Sequence, residues 1–518
     1  MSKRYSVLEY LEEASGRFPD RIAFADPDEA VTFRLLEERA KRIGSALSRI
    51  LPPRSCVPVC VPKSVKAVCL FMGSVYAGCF YSMMDLKQPE MRLKRILDTL
   101  DPSFLAADRE TAGIVTSLTV PDEGKKGPVP GGQPHILYYE ELSASEIDES
   151  LLEERRNQAA DTDPLYVNFT SGSTGQPKGV VVSHRSVIDF IECFTEITGI
   201  TEHDVLGNQA PLDFDVSVKD IYSGLKTGAS VQIIPQRYFS IPTQLLDYLT
   251  DHSVTTLIWA VSALTLVTKL HGFSYKIPHE VKRVIFSGEV MPVKHLNLWR
   301  EALPGAEFYN VYGPTEVTCN CTWYRIDRPF SLSESIPIGR PFPNEKVFLL
   351  DEEDHLIEDP GKDGEICVAG TALALGYYRN AEATAAAFVQ NPLQKNYPET
   401  IYRTGDLARY LEGGDLVYIG RKDFQVKHMG HRIELGEIEQ AMNAVAEVSG
   451  SCCQFIDGKI VAFYTGGLAK RELAVRLKTM IPDYMVPNVF VPMDQLPLNK
   501  NGKTDRRRLE EDYKEHRC

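Results

Sequence analysis

The stretch TSGSTGQPKG, residues 170–179, decides how the rest of the chain is interpreted. It lies between two strand-like runs, LYVNF at 165–169 and VVVS at 180–183, and Ser183 is placed to cap a following helix. Its glycines let backbone N–H groups approach an anion, its hydroxyls donate hydrogen bonds, and Lys178 neutralises charge. The stretch therefore predicts a phosphate-binding loop. It lacks the GxxxxGK(S/T) spacing of a Walker A loop, which argues against a kinase or P-loop ATPase.

Helical and strand-like patterns alternate on both sides of this loop. Apolar residues spaced by three and four predict helices at 6–18 and 33–51, and short apolar runs predict buried strands at 55–61, 103–108 and 231–235. Such alternation predicts an α/β fold whose large N-terminal part consists of stacked α/β subdomains with mostly parallel sheets.

The pattern changes after about residue 325. The segment 346–370 predicts a β-rich subdomain of antiparallel strands, with the acidic run 351–354 in a solvated hairpin turn. Near the C-terminus, helical patterns at 433–448 and 470–481 together with two strand-like runs predict a small α+β domain. The Gly/Pro-rich stretch 121–135 predicts a surface loop.

The composition limits the class of protein. The 518 residues contain 57 Lys and Arg against 71 Asp and Glu, a net charge of −14, which disfavours binding to nucleic acid or to an anionic membrane surface. The 11 cysteines are scattered without a CxxC pair and predict buried free thiols in a reducing compartment. No signal-peptide pattern and no apolar run of about 18 residues occurs, so we expect a cytoplasmic protein without membrane insertion.

The stretch 170–179 resembles the phosphate-binding signature of the adenylate-forming enzymes, which include acyl-CoA synthetases, luciferases and amino-acid adenylation domains. Further motifs follow in that family's order: FDVSVKD at 214–220, NVYGPTE at 310–316, YRTGD at 402–406, GRKDFQVKHMGHRIE at 420–434 and NKNGKTD at 499–505. The resemblance covers essentially the whole chain. It implies an N-terminal domain at 1–422 that binds ATP and substrate, and a small mobile C-terminal domain at 423–518.

The resemblance also implies a nucleotide site built from several motifs. The ATP-binding residues that it indicates are Thr170, Ser171, Gly172, Ser173, Thr174, Gly175, Lys178, Asn310, Tyr312, Thr315, Asp406 and Arg421. It places Tyr312 on the adenine, Thr315 on the α-phosphate, and Asp406 with Arg421 on the ribose. Without the resemblance, this last pair is equally compatible with a surface ion pair. Glu316 is expected to hold Mg²⁺, because a carboxylate near phosphates needs a cation between them.

The expected reaction brings a carboxylate against the α-phosphate of ATP, and two anions approach only if cations offset their repulsion. Lys503 follows an Asn-Gly turn signal and matches the family lysine that bridges both groups, so it is the expected catalytic residue. Asp423 matches the hinge about which the C-terminal domain rotates. Lys427 resembles the basic residue that faces the site after that rotation.

Asp215 stands where amino-acid adenylating enzymes place an aspartate against the α-ammonium of the substrate. The other pocket positions that the resemblance implies are Val216, Lys219, Ser262, Ile285, Ser287, Val311, Cys319 and Asn320, a small and polar set. Lys219 is compatible with a carboxylate on the substrate, or with neighbours on the Asp220 side outside the pocket. The residues around Asp215 are most similar to enzymes that load D-alanine onto a carrier protein, but those enzymes typically carry cysteine where Ser287 stands.

We therefore predict a stand-alone ligase that uses ATP and Mg²⁺. It would form an aminoacyl-adenylate and then pass the aminoacyl group to the phosphopantetheine thiol of a carrier protein. No carrier-like segment follows Lys503 in this sequence, so we expect that carrier to be a separate protein. Two alternatives stay open. One is an acyl-CoA ligase acting on a non-amino carboxylic acid, which would not need Asp215, and the other is a catalytically idle relative that serves as a scaffold.

Overall fold

The structure is a computed structural model that describes residues 4–119, 134–172, 176–422, 425–497 and 504–515. The chain divides into two compact units. The larger comprises 1–85, 100–168 and 179–422, and the smaller comprises 86–99, 169–178 and 423–518. The domains predicted at 1–422 and 423–518 stay a prediction. No sequence pattern assigned 86–99 or 169–178 to the smaller unit.

The larger unit contains a nine-stranded sheet. Its spatial order is Arg340–Pro341, Thr322–Arg325, Glu307–Tyr312, Arg283–Ser287, Thr256–Ala260, Val205–Asn208, Ser230–Ile233, Ile22–Ala25 and Ala30–Thr32. The six strands from Glu307–Tyr312 to Ile22–Ala25 run parallel, and the outer strands pair antiparallel. The carboxyl ends of such parallel strands form the crevice in which α/β proteins bind ligands.

A second sheet has seven strands. Their order is Gly376–Tyr377, Lys178–Ser183, Pro164–Thr170, Phe80–Met83, Cys56–Cys60, Phe104–Ala107 and His135–Tyr138. The strands from Pro164–Thr170 to His135–Tyr138 run parallel. Each apolar run that was predicted to be a buried strand forms one in these two sheets, so the predicted α/β class is confirmed.

Antiparallel pairing dominates the later part of the larger unit. A six-stranded sheet contains, in order, Leu356–Ile357, Glu345–Leu350, Asp363–Gly370, Thr400–Tyr410 and Phe388–Gln390, with Leu416–Arg421 paired to Thr400–Tyr410. The acidic run 351–354 forms a hairpin turn, in which the Asp351 carboxylate accepts hydrogen bonds from the backbone N–H groups of Glu353 and His355. The predicted β-rich subdomain is therefore present.

The smaller unit is an α+β structure with two sheets. One pairs Gln425–His428 with His431–Glu434, and the other contains Val448–Ile456, Lys459–Gly466 and Val489–Met493. Helices Leu435–Asn443 and Lys470–Leu477 form where the helical patterns predict them. The strand Val489–Met493 was missed because Pro492 and its partly exposed side chains weaken the pattern of a strand.

The remaining α-helices are Leu8–Arg17, Phe33–Ser48, Val65–Tyr76, Glu90–Leu100, Ala112–Thr119, Tyr139–Leu142, Glu149–Asn157, His184–Thr198, Val216–Thr227, Pro242–Asp251, Val261–Lys269, Val293–Ala302, Ala381–Ala387 and Arg506–Glu515. Ser183 caps its helix as predicted, since its hydroxyl oxygen accepts from the Ser186 N–H at 3.1 Å. Most of the loop predicted at 121–135 lies outside the described residues. Within the described ranges, no helix is long and apolar enough to cross a membrane.

The ten cysteines in the described part of the chain are free thiols, and eight of them are buried. Burial raises the pKa of the Cys60 thiol to about 12, so this group stays protonated at neutral pH. The prediction of buried free thiols is confirmed for eight of the ten described cysteines, and Cys56 and Cys193 are free but only partly buried.

Candidate active site

The candidate phosphate loop joins two neighbouring strands, Pro164–Thr170 and Lys178–Ser183, as its sequence predicts. The Thr170 hydroxyl donates to the Lys178 carbonyl at 3.4 Å and closes the base of the loop. A side chain at Gly172 would place its Cβ 2.0 Å from a backbone carbonyl oxygen of the same loop, so only glycine fits there. Ser173, Thr174 and Gly175 lie outside the described residues.

Two charged residues that sequence reasoning missed lie beside this loop. Glu437 and Arg92 form an ion pair at 2.9 Å in which both side chains are only 4% exposed. Burial raises the pKa of Glu437, while the Arg92 guanidinium and the backbone N–H of Gly172 oppose that increase. The Ser171 hydroxyl donates to the Arg432 carbonyl at 2.7 Å. The only signal in the sequence was an acidic residue within an otherwise apolar helical face.

The NVYGPTE motif begins on the strand Glu307–Tyr312 and ends in the short 3-10 helix Thr315–Val317. Gly313, between these two elements, approaches another segment closely, because an added Cβ would lie 2.4 Å from the Asn320 Cα. The Asn310 side-chain amide donates to a backbone carbonyl at 2.7 Å. The close approach at Gly313 holds the motif against the segment that carries Asn320, and the Asn310 bond ties it to residue Pro337.

Three of the predicted nucleotide-binding residues form one buried cluster. Asp406 and Arg421 are cross-strand partners, and the guanidinium lies 2.6 Å from the carboxylate. The Tyr312 hydroxyl donates to the other carboxylate oxygen at 2.5 Å. The alternative of a surface ion pair is wrong, because the Asp406 side chain is 1% exposed and that of Arg421 is 9% exposed. Burial, assisted by the Asp406 charge, raises the pKa of Tyr312 well above its ordinary value.

Glu316 is a buried carboxylate next to a second acidic residue. The Tyr377 hydroxyl donates to Glu316 at 2.7 Å, and the Glu316 charge is one of the influences that raise the pKa of Asp215. Carboxylate oxygens are the ligands that Mg²⁺ prefers, and Glu316 offers such oxygens. The chemistry of this donor set therefore fits the predicted metal.

Asp215 follows the strand Val205–Asn208 and directly precedes the helix Val216–Thr227. Its side chain is partly buried, and the Thr315 side chain is hydrogen-bonded to its carboxylate. Burial raises the pKa of Asp215, whereas that hydrogen bond and the Lys219 ammonium oppose the increase. One contact thus links the predicted amino-acid pocket to the NVYGPTE motif.

The other predicted pocket residues lie on or near the carboxyl ends of adjacent parallel strands. Ser262 follows Thr256–Ala260, while Ile285 and Ser287 lie on Arg283–Ser287 and Val311 lies on Glu307–Tyr312. The Cys319 thiol donates to the Asp215 carbonyl at 3.2 Å. Val216 and Ser262 are partly exposed, whereas Ile285, Ser287, Val311, Cys319 and Asn320 are buried. Of these predicted pocket residues, two are therefore partly exposed and five are buried.

Lys219 lies one helical turn after Asp215 and is fully buried, with 0% of its surface exposed. Its ammonium donates to the Ser287 hydroxyl oxygen at 3.1 Å and to the Asn320 side-chain oxygen at 2.8 Å. Both partners belong to the predicted pocket. Asp220, the neighbour considered from the sequence, instead accepts from the Asn208 side-chain amide at 2.9 Å.

Two expected residues, Lys503 and Asp423, lie outside the described residues, so their roles stay predictions. Lys427 lies on the strand Gln425–His428, opposite Arg432 in the antiparallel register. The structure thus describes the flanks of the loop, and separately the NVYGPTE motif, the Asp406 cluster and the predicted pocket residues.

Residues 11–378 match the family described as AMP-binding enzyme. Tyrocidine synthase 1 of Brevibacillus parabrevis is 30% identical over 515 residues, which cover 98% of this chain and 45% of that protein. The chain thus spans less than half the length of this curated relative.

Solved structures are similar over almost the whole chain. The adenylation domain AlmE of Vibrio cholerae, in complex with glycyl-adenosine-5'-phosphate, has a TM-score of 0.84 at 21% identity, with 99% of each chain covered. Holo-PA1221, an NRPS protein containing adenylation and PCP domains, has a TM-score of 0.80 at 25% identity, covering 98% of this chain and 84% of that one. The o-succinylbenzoate CoA synthetase MenE of Bacillus subtilis has a TM-score of 0.80 at 20% identity, covering 97% and 98%. These likenesses confirm the fold with a large N-terminal and a small C-terminal part.

Proposed function

This chain belongs to the AMP-binding enzyme family, and from that membership we propose that it activates an amino acid as an aminoacyl-adenylate. Membership makes the protein an adenylate-forming ligase that uses ATP. The proposal adds the class of substrate, an α-amino acid, and the acceptor, the phosphopantetheine thiol of a carrier protein.

The contact between Asp215 and Thr315 carries the proposal. Asp215 offers a carboxylate at the rim of the pocket, and Thr315 belongs to the motif that the family uses for the α-phosphate. An α-ammonium bound at Asp215 would therefore lie close to the phosphate that the substrate carboxylate must attack. A cationic partner would also stabilise the ionised form of Asp215, whose pKa burial raises. A substrate without an amino group would leave this carboxylate without that partner.

In the first step, a carboxylate oxygen of the amino acid forms a bond to the α-phosphorus of ATP, and the bond from that phosphorus to the bridging oxygen breaks to release pyrophosphate. The loop around Gly172 and Lys178 would orient the phosphates through backbone N–H groups and positive charge. Lys503 would offset the repulsion between the two anions. Mg²⁺ held by Glu316 would supply further positive charge against the phosphate oxygens.

Arg421 and the Tyr312 hydroxyl fix the orientation of the Asp406 carboxylate. This carboxylate would accept hydrogen bonds from the two hydroxyls of the ribose. In the second step, the carrier thiolate attacks the acyl carbon and AMP leaves. The PCP domain of the similar NRPS protein supports a carrier as acceptor.

A second candidate is an acyl-CoA ligase, which the likeness to o-succinylbenzoate CoA synthetase favours. That enzyme would adenylate an acid without an α-amino group and transfer the acyl group to coenzyme A. The partly buried Asp215 distinguishes the two candidates. An acid without an amino group would leave this carboxylate buried without a cationic partner, which costs free energy.

The test is amino-acid-dependent ATP–pyrophosphate exchange by the wild-type chain and by Asp215→Asn. We expect exchange with at least one α-amino acid, no exchange with its des-amino analogue, and a loss of kcat/KM of about 100-fold in the variant, as for a buried charge pair that loses one partner. Asp251→Asn, which changes an exposed aspartate on Pro242–Asp251, serves as the matched control and should keep full activity. Equal exchange with the des-amino analogue, or full activity in Asp215→Asn, would favour the acyl-CoA ligase instead.

A further inference from the structure

The Lys219 ammonium is buried in the pocket with only neutral hydrogen-bond partners. Ser287 and Asn320 each accept one of its three N–H donors. Among the described residues, no carboxylate forms an ion pair with it. The neighbouring Cys319 thiol is neutral, since burial raises its pKa to about 12. A buried cation without an ionic partner is unfavourable, so its presence calls for a ligand that supplies the missing charge.

Two nearby carboxyl groups, one on this helix and one directly before it, do not remove this requirement. Asp220 is fully buried and accepts from the Asn208 amide, and burial raises its pKa to about 7, so its negative charge is only partly present at neutral pH. Asp215 is hydrogen-bonded to Thr315 and is assigned to the substrate α-ammonium.

The positions of Asp215 and Lys219 match the two ends of one ligand. Asp215 precedes the helix and Lys219 follows four residues later, a separation of about 6 Å along a helix axis. An amino acid that carries an α-ammonium and a side-chain carboxylate spans such a distance. Each end of that ligand would then meet a group of opposite charge in the pocket.

We propose that the amino acid activated by this chain carries a carboxylate at the end of its side chain, and that Lys219 selects it. Ser287 and Asn320 hold the ammonium in place, and the side-chain carboxylate of the substrate supplies the negative charge that this cation lacks. Because Lys219 has no exposed surface, a small rotation of a neighbouring side chain must admit that group. This inference rests on the proposed function, since it names the substrate class of the same site.

The test compares amino acids in ATP–pyrophosphate exchange with the wild-type chain. The panel pairs each acid with its amide, aspartate with asparagine and glutamate with glutamine, in both L and D forms, and adds 2-aminoadipate, alanine and leucine. We expect the best substrate to carry a side-chain carboxylate and to exceed its amide in kcat/KM by about 100-fold. A best substrate with an uncharged side chain would overturn the inference and leave the proposed function standing. Exchange with none of the amino acids would contradict both.

Lys219→Met provides the second arm, because methionine keeps a similar length without the charge. We expect the preference for the carboxylate over its amide, measured as the ratio of their kcat/KM values, to fall by about 100-fold. Lys226→Met removes a lysine from the same helix that pairs with Glu192 instead, and it should keep the wild-type preference. If Lys219→Met does not fold, Lys219→Gln takes its place. An unchanged preference in the folded variant would overturn the inference.

Discussion

Asp220 is a fully buried carboxyl whose single described side-chain partner is the Asn208 amide. Burial raises its pKa to about 7 from an ordinary value near 3.8. In the unfolded chain this group loses its proton near its ordinary pKa, whereas in the folded chain it keeps the proton up to about pH 7. The folded state therefore binds more protons between these values, and its stability falls as pH rises through that window.

Asp220→Asn should remove this pH dependence, because asparagine accepts the same hydrogen bond without a titrating group. We expect the melting temperature of the variant, relative to wild type, to increase from pH 5 to pH 7 and to level off above pH 7. Calorimetric scans of both proteins at matched pH values measure this difference. Asp251→Asn should show no such trend, and a flat difference for Asp220→Asn would contradict the assigned burial.

The sequence predicted which residues belong to the candidate site, but it did not predict their contacts or their burial. The residue types at Asp215, Ser287 and Asn320 and their motif positions indicated a polar pocket. The sequence does not show that Lys219 donates to Ser287 and Asn320. These residues are 68 and 101 positions away along the chain, and only the folded sheet brings them close to Lys219. The burial of Asp406 and Arg421 could not be predicted either, because the sequence pattern of a charged pair is the same on the surface and in the interior.

At the scale of elements, the helices Glu90–Leu100 and Leu435–Asn443 are joined within the smaller unit by the buried pair of Arg92 and Glu437. Removing one partner of a buried ion pair leaves the other charge uncompensated, which destabilises more than losing both. This pair lies beside the candidate phosphate loop, since the backbone N–H of Gly172 is hydrogen-bonded to Glu437.

Arg92→Met should lower the local opening free energy of Leu435–Asn443 by about 3 kcal/mol, because Glu437 remains buried without its partner. Hydrogen exchange of the amides in that helix measures the opening free energy. The double variant Arg92→Met with Glu437→Gln should recover at least half of the loss. Unchanged protection in Arg92→Met would show that this pair does not hold the helix.

Elements with strong periodicity were predictable, and elements defined by long-range pairing were not. The alternating patterns located Phe33–Ser48, Cys56–Cys60 and Phe104–Ala107, because each buries one face or both faces locally. The short strands Gln425–His428 and His431–Glu434 lie in a polar segment and exist through pairing with each other. Their formation depends on backbone hydrogen bonds that a hydrophobic pattern does not record.

At the scale of the whole molecule, the chain has a net charge of −14, and the proposed function requires it to bind ATP, which carries several negative charges itself. The positive charge expected to offset this is local, and Lys178 in the candidate phosphate loop is one expected source of it. The net charge thus describes the protein surface as a whole and does not describe its site. The composition indicates which partners are disfavoured, but it does not show where positive charge is concentrated.

The central claim is that this chain forms an aminoacyl-adenylate, and mass spectrometry of a single-turnover mixture tests it most directly. The wild-type chain, ATP, Mg²⁺ and a pool of L- and D-amino acids should yield an adenylate whose mass equals that of one amino acid joined to AMP, with pyrophosphate released. Addition of a phosphopantetheinylated carrier protein should convert that adenylate into a thioester and AMP. No aminoacyl-adenylate from any amino acid, with an adenylate formed instead from an acid that lacks an amino group, would contradict the account.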